Sequence, residues 1–308
     1  MKKFFISAAV LLATVMAHGQ IMEVSSVERV NGANGETAVI SPSGDYVVVN
    51  GQDGLMKVDL ASGAQTLVAK GSGLYNVKIS GDGNTVVYTR PMIDRNHLRK
   101  ISLESVNLAD GSAKQLVAPS RKLNAGATIE GNSINVVNNG KLQVKSLDGS
   151  KAVKAPVASI NYGHLDITVD GKTTTLDPLG RGSYLWPSVS PDGTKVCFWL
   201  VGRGCYTCNL DGSDLRSFGP LRAAVWADNN VIVGQDELEG NAQRLAASSI
   251  VAIDINTKAI QKLTNDEVIA MYPSVSADAS RIAFVNQDGD VYVINIKKKT
   301  TCKNSNQS

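Results

Sequence analysis

The sequence has 308 residues, of which 43% are hydrophobic and 19% are charged, and its formal net charge is +3 at neutral pH. A charge this small gives no strongly basic field, so neither nucleic acid nor an anionic membrane surface is expected as a partner. The apolar fraction, with 28 glycines and 9 prolines, is typical of an ordinary folded protein and excludes a disordered chain.

The first residues have the pattern of a secretory signal peptide. Two lysines precede the apolar run from Phe4 to Ala17, and small residues follow it before Gln20. A membrane anchor needs about 20 apolar residues and this run has about 14. We therefore expect a signal peptide at residues 1–19, cleavage near Gly19 and Gln20, and export to the periplasm or the cell exterior. With no cysteine before Cys197 and no other apolar segment of sufficient length, we expect neither a lipoprotein nor a membrane span.

Residues 38–117 contain two copies of one unit, which has four short β-rich runs separated by turns. The first turn of the first copy is Ser41-Pro42-Ser43-Gly44, and Ser80-Gly81-Asp82-Gly83 takes the same place in the second. The second copy also has a polar insert, Arg90 to Lys100, between its second and third runs.

The copy at residues 184–212 is the most complete. Its first turn is Ser190-Pro191-Asp192-Gly193, in which proline fixes φ and glycine accepts a positive φ. Further copies begin near residues 223 and 270, and the first of these contains a second insert, Gln235 to Ala247.

The spacing of these turns predicts a β-propeller. Equivalent turns fall at residues 41, 80, 190, 227 and 276, and a period of about 40 residues with four strands is that of a propeller blade. Residues 120–182 lack the turn motif, so the number of blades between the turns at residues 80 and 190 is open. If this stretch contains two blade-to-blade intervals the ring has six blades, and if it contains three the ring has seven. The insert in the first interval favours six.

We therefore predict an all-β protein, with a single six-bladed β-propeller of four-stranded antiparallel blades at residues 20–299; seven blades is the alternative. The last copy shows three clear runs, so residues 21–30 are expected to supply its fourth strand and close the ring. Residues 300–308 form a polar C-terminal tail.

Two segments resemble a known repeat. The segments at residues 184–193 (YLWPSVSPDG) and 271–278 (MYPSVSAD) resemble the aromatic-Pro-x-x-Ser-Pro-Asp-Gly repeat of TolB-like six-bladed propellers, and weaker copies extend over residues 36–299. Gly81 and Ala277 replace the proline of the motif, and Ala279 replaces its glycine. The resemblance implies a secreted bacterial propeller but no single activity, because the repeat occurs in periplasmic partner-binding proteins, in oligopeptidases and in pectin-degrading lyases.

No catalytic set is identifiable in the sequence. Oligopeptidases of this type have a separate hydrolase domain, and we expect none after Lys299. The lyases depend on several metal-binding histidines, whereas the mature chain has only His97 and His164. We predict no catalytic residue, no metal site and no cofactor. An extracellular lyase or hydrolase that acts on a saccharide is the alternative.

Three cysteines lie close together in the sequence. Cys205 and Cys208 are three residues apart on a predicted strand, so they should face opposite sides. If Gly202-Arg203 forms the hairpin apex, Cys197 lies opposite Cys208, and a cross-strand disulfide is then geometrically feasible in an oxidising compartment. The alternative is three buried free thiols that pack as small apolar groups.

Both inserts follow the second run of their unit, and such loops share one face of a propeller with the connections between blades. We expect a funnel on this face, ringed by four aromatic residues: Tyr75, Trp186, Trp226 and Tyr272. Charge divides across it, with Arg90, Arg95, His97 and Arg99 on one insert and Asp236, Glu237 and Glu239 on the other. The alternative is that both inserts are solvated loops and the aromatic residues only pack blade against blade.

These patterns together predict a monomeric, non-catalytic binding or scaffold propeller. It would engage a protein, a peptide or a saccharide at the funnel face, through the residues named above.

Overall fold

The computed structural model describes residues 20–239 and 245–297, so the predicted signal peptide and C-terminal tail lie outside the described residues. The described residues form 26 β-strands and no helix. Accordingly, this part of the chain contains no apolar helix that could span a membrane.

The strands form seven antiparallel blades. Blade 1 contains β2 (Thr37–Ile40), β3 (Tyr46–Gly51), β4 (Gly54–Asp59) and β5 (Gln65–Lys70). Blade 2 contains β6 (Tyr75–Ile79), β7 (Thr85–Ile93), β8 (Arg99–Asn107) and β9 (Ala113–Ser120). Blade 3 contains β10 (Leu123–Glu130), β11 (Ser133–Asn138) and β12 (Lys141–Ser146), and blade 4 contains β13 (Val157–Asn161), β14 (His164–Val169) and β15 (Lys172–Thr175).

Blade 5 contains β16 (Tyr184–Val189), β17 (Lys195–Leu200), β18 (Gly204–Asn209) and β19 (Arg216–Ser217). Blade 6 contains β20 (Arg222–Trp226), β21 (Val231–Glu239), β22 (Leu245–Asp254) and β23 (Ile260–Lys262). Blade 7 contains β24 (Ala270–Val275), β25 (Arg281–Asn286), β26 (Asp290–Lys297) and β1 (Glu23–Asn34).

The blade count is seven, so the preferred count of six was wrong and the alternative is confirmed. The difference lies in residues 120–182, which form blades 3 and 4 with three strands each. Their inner strands join at one pair, Ala125 with Ile160. Residues 147–156 form no strand where a fourth would be expected. A three-stranded blade needs fewer residues than a four-stranded one. The stretch between the turns at residues 80 and 190 therefore contains three blade-to-blade intervals instead of the expected two.

The N-terminal strand closes the ring, as expected. β1 pairs antiparallel with β26, and the register places Arg29 opposite Tyr292. Arg29 also forms an ion pair of 2.5 Å with Asp290. Without β1, β26 would present an unpaired edge.

The core lies between neighbouring blades. Val47 and Val49 of blade 1 pack against Ala283 and Val285 of blade 7. Successive residues of a strand lie on opposite faces of its sheet, so the two apolar faces of a blade pack against the two neighbouring blades. The first strands of the blades contact one another around the axis and form the wall of a central channel.

The serine turns share one hydrogen-bond pattern. Ser190 Oγ donates to Asp192 (2.6 Å) and accepts the backbone N–H of Lys195 (2.9 Å). Equivalent bonds hold the turns that begin at Ser80 and Ser276. The turn is thus a structural device that links the first and second strands of a blade.

The two faces of the ring differ in their loops. Gly71, between blades 1 and 2, donates to the carbonyl of Asp53 in the β3–β4 hairpin (2.9 Å). Hairpins between second and third strands therefore lie beside the connections between blades, and we call this side the upper face. Leu60 donates to the carbonyl of Asp45 (2.9 Å), so the remaining turns meet on the lower face.

The β17–β18 hairpin differs by one residue from the predicted register. Leu200 lies opposite Gly204, so Cys197 lies opposite Thr207 and Cys208 opposite Val196. The predicted pairing of Cys197 with Cys208 is not formed, because these side chains pack in different interblade cores.

The three described cysteines are buried free thiols. Cys197 Sγ lies 3.6 Å from Cys205 Sγ. This hydrogen bond and burial raise the pKa of Cys197, and burial raises the pKa of Cys208 to about 12. Neither is an activated thiolate at neutral pH.

Candidate functional site

Two aromatic side chains stand half-exposed on the channel wall. Trp186 on β16 is 41% exposed and Tyr272 on β24 is 39% exposed. Both have positive φ, 49° and 54°. Each lies where its strand has one residue more than its partner strand.

Such a bulge turns a side chain away from the regular alternation of the strand. For a bulky L-residue the left-handed backbone region costs about 1–2 kcal/mol. Two aromatic residues thus occupy a costly conformation that presents them to the channel.

Trp199 and Arg222 link the Trp186 ring to blade 6. The Trp186 and Trp199 rings lie 5.6 Å apart, and the Arg222 guanidinium lies 5.3 Å above the Trp199 ring. Arg222 Nη1 also lies 2.8 Å from Glu237 Oε2. This contact is an ion pair rather than an aligned hydrogen bond, because Oε2 has no aligned donor among the described residues.

A glutamine extends the group to blade 7. Gln235 Oε1 accepts the backbone N–H of Tyr272 (2.6 Å), and Gln235 Nε2 donates to Glu237 Oε1 (2.5 Å). The result is a continuous group across blades 5, 6 and 7, which we call the aromatic–arginine cluster: Trp186, Trp199, Arg222, Gln235, Glu237 and Tyr272.

One polar atom of the cluster has no partner. The buried indole N–H of Trp199 meets no acceptor among the described residues, which costs free energy. Trp199, Arg222 and Gln235 were not predicted as site residues. Arg222 begins an inner strand, as Tyr75 does, and that position was the available signal.

The other two predicted aromatic residues do not join this cluster. Trp226 ends its inner strand instead of beginning it, is buried, and donates its indole N–H to the carbonyl of Ser188 (2.9 Å). The prediction of Trp226 at the mouth was therefore wrong. Tyr75 begins β6 and is half-buried.

The basic insert is largely a hairpin. β7 and β8 extend into it, and residues 94–98 form the turn. Arg95 and His97 are exposed on this turn. Arg90 lies within β7, away from the turn, and its Nε is 2.8 Å from Glu104 Oε2. Burial tends to raise the pKa of Glu104, but hydrogen bonds from Arg90 and its neighbours outweigh it and lower that pKa. Arg90 is thus committed to a structural pair.

The acidic insert is also a hairpin, of β21 and β22. Asp236 is exposed on it, whereas Glu237 is largely buried and paired with Arg222. Residues 240–244 lie outside the described residues. The side chain of Glu239 also lies outside the described part of the chain. Among the described side chains, the predicted charge division leaves exposed cations on blade 2 and the exposed carboxylate of Asp236 on blade 6.

Exposed apolar side chains gather on the upper face. Ile93 is 71% exposed and Leu238 is 64% exposed, each near the end of a long hairpin. The exposed large apolar residues on upper-face hairpins are Met92, Ile93, Leu98, Tyr162, Val201 and Leu238. Tyr162 belongs to this face because the carbonyl of Gly163 accepts the backbone N–H of Tyr184 (3.0 Å), at the connection into blade 5. The lower-face turns contribute Val169 and Leu215. The upper face is therefore the more apolar of the two.

The two histidines lie apart from this cluster. His164 Nδ1 contacts Asp177 Oδ2, and His97 is on the exposed hairpin turn of blade 2. Within residues 20–239 and 245–297, no three metal-binding side chains are grouped.

Comparison with known proteins supports the fold alone. No family model and no curated protein matches this chain. A chain in the crystal structure of a mitotic checkpoint complex is similar, with 10% identity and a TM-score of 0.59, and covers 97% of this chain and 99% of its own.

Two further structures are similar. The β-propeller domain of Cps50 (Swd1) from Myceliophteria thermophila has 9% identity and a TM-score of 0.60, covering 90% of this chain and 100% of that chain. An oligogalacturonate lyase from Vibrio parahaemolyticus has 12% identity and a TM-score of only 0.45, covering 85% and 77%. The first comparison and the Cps50 comparison support a β-propeller for this chain.

Proposed function

We propose that this protein is an exported, non-catalytic binding propeller of the TolB-like type, which holds a protein partner on its upper face. The observation that carries the proposal is the aromatic–arginine cluster. There, the half-exposed aromatic residues Trp186 and Tyr272 stand on left-handed backbone, and the indole N–H of Trp199 has no acceptor among the described residues. Costs of this kind persist where function requires them.

The class of partner follows from the surface around the cluster. Exposed apolar side chains such as Ile93, Val201 and Leu238 stand on three different blades around the channel mouth. A broad apolar rim around an aromatic centre is typical of a protein interface, whereas a small ligand needs an enclosed pocket. Half-exposed Trp and Tyr are frequent anchors of such interfaces.

Charge on the rim would orient the partner. Arg95 and Arg99 are exposed on the blade 2 hairpin, and Asp236 is exposed on the blade 6 hairpin. A partner with the complementary arrangement would associate faster in one orientation, and this effect would weaken as salt is added.

Site-specific photocrosslinking tests the proposal. A benzophenone amino acid replaces Val201 on the upper face or Leu215 on the lower face, and protein is irradiated in the native cells. We expect a discrete crosslinked band from position 201 and none from 215. Adding Trp186→Ala or Tyr272→Ala should reduce the band about fivefold or more, since each aromatic anchor buried by the partner contributes about 1 kcal/mol or more.

A matched change separates lost contact from lost folding. Leu67→Ala removes an exposed apolar side chain from the outer strand of blade 1 and should leave the band unchanged. Equal crosslinking from positions 201 and 215, or a band that neither aromatic change affects, contradicts the proposal. Reducing ends released from plant or host polysaccharides, lost in Tyr272→Ala, would favour the saccharide-acting alternative.

The proposal of export rests on the N-terminal sequence pattern. Intact-mass measurement of protein from the native cell tests it. A major species that begins at Gln20 supports export, and retention of Met1 contradicts it.

A further inference from the structure

A narrow cleft opens between the inner strands of blades 2 and 3. Its floor is apolar and contains Val87, Leu103, Leu123 and Val136. Four polar side chains also line it: Asn76, Lys78, Thr89 and Asn124. The space suits a group about as large as one water molecule.

Backbone irregularities on both sides form the cleft. The β6 register shifts between Tyr75 and Lys78, where Asn76 has φ 51°. The β10 register shifts between Leu123 and Ala127, where Gly126 has φ 135°. A Cβ on Gly126 would lie 2.4 Å from the carbonyl oxygen of Ala158, so the close approach requires glycine. The cleft is therefore specified by sequence on both of its strands.

Lys78 supplies a cation that no neighbour neutralises. The seven inner strands contain three charged residues: Lys78, Glu130 and Arg222. Arg222 pairs with Glu237, and Glu130 is exposed at the end of β10. In the described part of the chain the Lys78 ammonium makes no ion pair and no side-chain hydrogen bond. None of the other residues that line the cleft titrates.

The position of Lys78 makes it both accessible and poorly solvated. Its side chain is exposed, and it lines the cleft together with residues of blades 2 and 3. Desolvation by this surrounding protein lowers the pKa of Lys78. An anion beside the ammonium would offset that cost, so the site favours binding of a small negative group.

We propose that this cleft binds a carboxylate. One carboxylate oxygen enters the cleft and accepts hydrogen bonds from the Lys78 ammonium and from a side-chain amide, while the carbon chain extends toward the channel. The amide is that of Asn76, or the second amide hydrogen of Asn124, whose Nδ2 already donates to Ser159 Oγ (3.2 Å). The small space admits one oxygen atom of the ligand, and the ammonium and amide donors suit an oxygen acceptor. The site is distinct from the aromatic–arginine cluster and does not depend on the function proposed above.

NMR spectroscopy of the full mature chain with ¹³C-labelled lysine tests the site. Sodium acetate is titrated against sodium chloride at equal ionic strength, and the Lys78 signal is assigned by its loss in Lys78→Met. We expect a saturating shift with acetate only, and a pKa of Lys78 raised by about one unit at saturation. Because the ammonium and the carboxylate are the forms that bind, affinity should be constant between the carboxyl pKa of about 4 to 5 and the pKa of free Lys78, and fall as pH rises above the latter.

Two variants make the result specific. Asn76→Gly keeps the left-handed backbone, removes one amide, and should weaken acetate binding severalfold. Lys141→Met removes an exposed lysine on β12 and should leave the Lys78 response unchanged. An equal response to chloride, or no saturable response to acetate, overturns the proposal.

A second arm separates the sources of the carboxylate. A short alanine peptide with a free C-terminus is compared with its amidated form and with acetate. Tighter binding of the free peptide than of acetate identifies a chain terminus as the ligand, and binding of acetate alone identifies a free monocarboxylic acid. Binding of the amidated peptide as strongly as the free one contradicts carboxylate recognition.

Discussion

Ala279 adopts a backbone conformation that glycine has at the equivalent turn positions. Its φ is 53°, whereas Gly44, Gly83 and Gly193 have φ of 79°, 74° and 69°. An L-residue in this region is strained by about 1–2 kcal/mol, which glycine avoids. Ala279→Gly should therefore stabilise the protein by about 0.5–1 kcal/mol in urea unfolding, after the loss of one partly packed methyl group.

The reverse change in blade 5 is the matched control for this effect. Gly193→Ala places a methyl group 3.6 Å from Pro156, an ordinary contact, so its effect comes from the backbone. We expect a loss of about 1 kcal/mol. Destabilisation by Ala279→Gly would show that the alanine methyl group matters more than backbone strain.

Single residues show what sequence can and cannot predict about the site. Trp186 and Tyr272 were predictable because each lies in an aromatic-Pro-x-x-Ser segment ahead of a turn. The pairing of Arg222 with Glu237 was not, because it depends on the register of β20 and β21, which shifts at a bulge. Such a shift moves side chains to the other face of a strand.

The serine turn is an element with a testable energy. Ser190→Ala removes the acceptor for the backbone N–H of Lys195 and the donor to Asp192, and Ser190 is buried. Leaving a buried N–H unpaired costs about 1–3 kcal/mol. Urea unfolding at neutral pH measures this loss. Ser213→Ala, in an exposed turn, should cost less than about 0.5 kcal/mol.

Acid should narrow the difference between Ser190→Ala and the native protein. Burial tends to raise the pKa of Asp192, but hydrogen bonds from Ser190 and Thr194 outweigh it and lower that pKa. A lowered carboxyl pKa stabilises the fold above the unfolded pKa of about 4, and this contribution is lost as pH falls toward the folded pKa. A difference in free energy of unfolding between Ser190→Ala and the native protein that stays constant down to low pH would contradict this coupling.

The β17–β18 hairpin shows that turn residues predict a hairpin without fixing its loop length. Gly202-Arg203 was expected to form a two-residue apex, but Arg203 donates to the carbonyl of Leu200 and the loop has three residues. Both loop lengths suit a glycine-containing turn. The sequence therefore predicted the hairpin, but the loop length decided which cysteines lie together.

For the whole molecule, the repeat predicted the architecture but not the number of blades. The period of about 40 residues assumes four strands per blade. Blades 3 and 4 have three strands each and no serine turn, so neither the period nor the motif marks them. Closure by the N-terminal strand was predictable, because the last copy lacked one strand and a closed ring leaves no free edge.

Removing that closing strand should affect the whole ring. β1 pairs along β26, and Gln261 of blade 6 binds the chain just before it, accepting the backbone N–H of Met22 at 2.9 Å. Met22 is buried, and Val24 and Val27 pack against the same core. Since each buried apolar side chain contributes about 1.5–3 kcal/mol, deleting residues 20–34 should lower the free energy of unfolding by about 5 kcal/mol or more.

The deletion also leaves β26 as an unpaired edge, so we expect self-association in size-exclusion chromatography together with a lower thermal midpoint. A synthetic peptide of residues 20–34 should restore both, because it can pair with the same edge. Removing the exposed pair Glu23–Lys297 by double alanine substitution should cost less than about 1 kcal/mol, which isolates strand pairing from surface charge. A truncated chain that stays monomeric with an unchanged midpoint would show that six blades and a three-stranded seventh suffice to hold the ring.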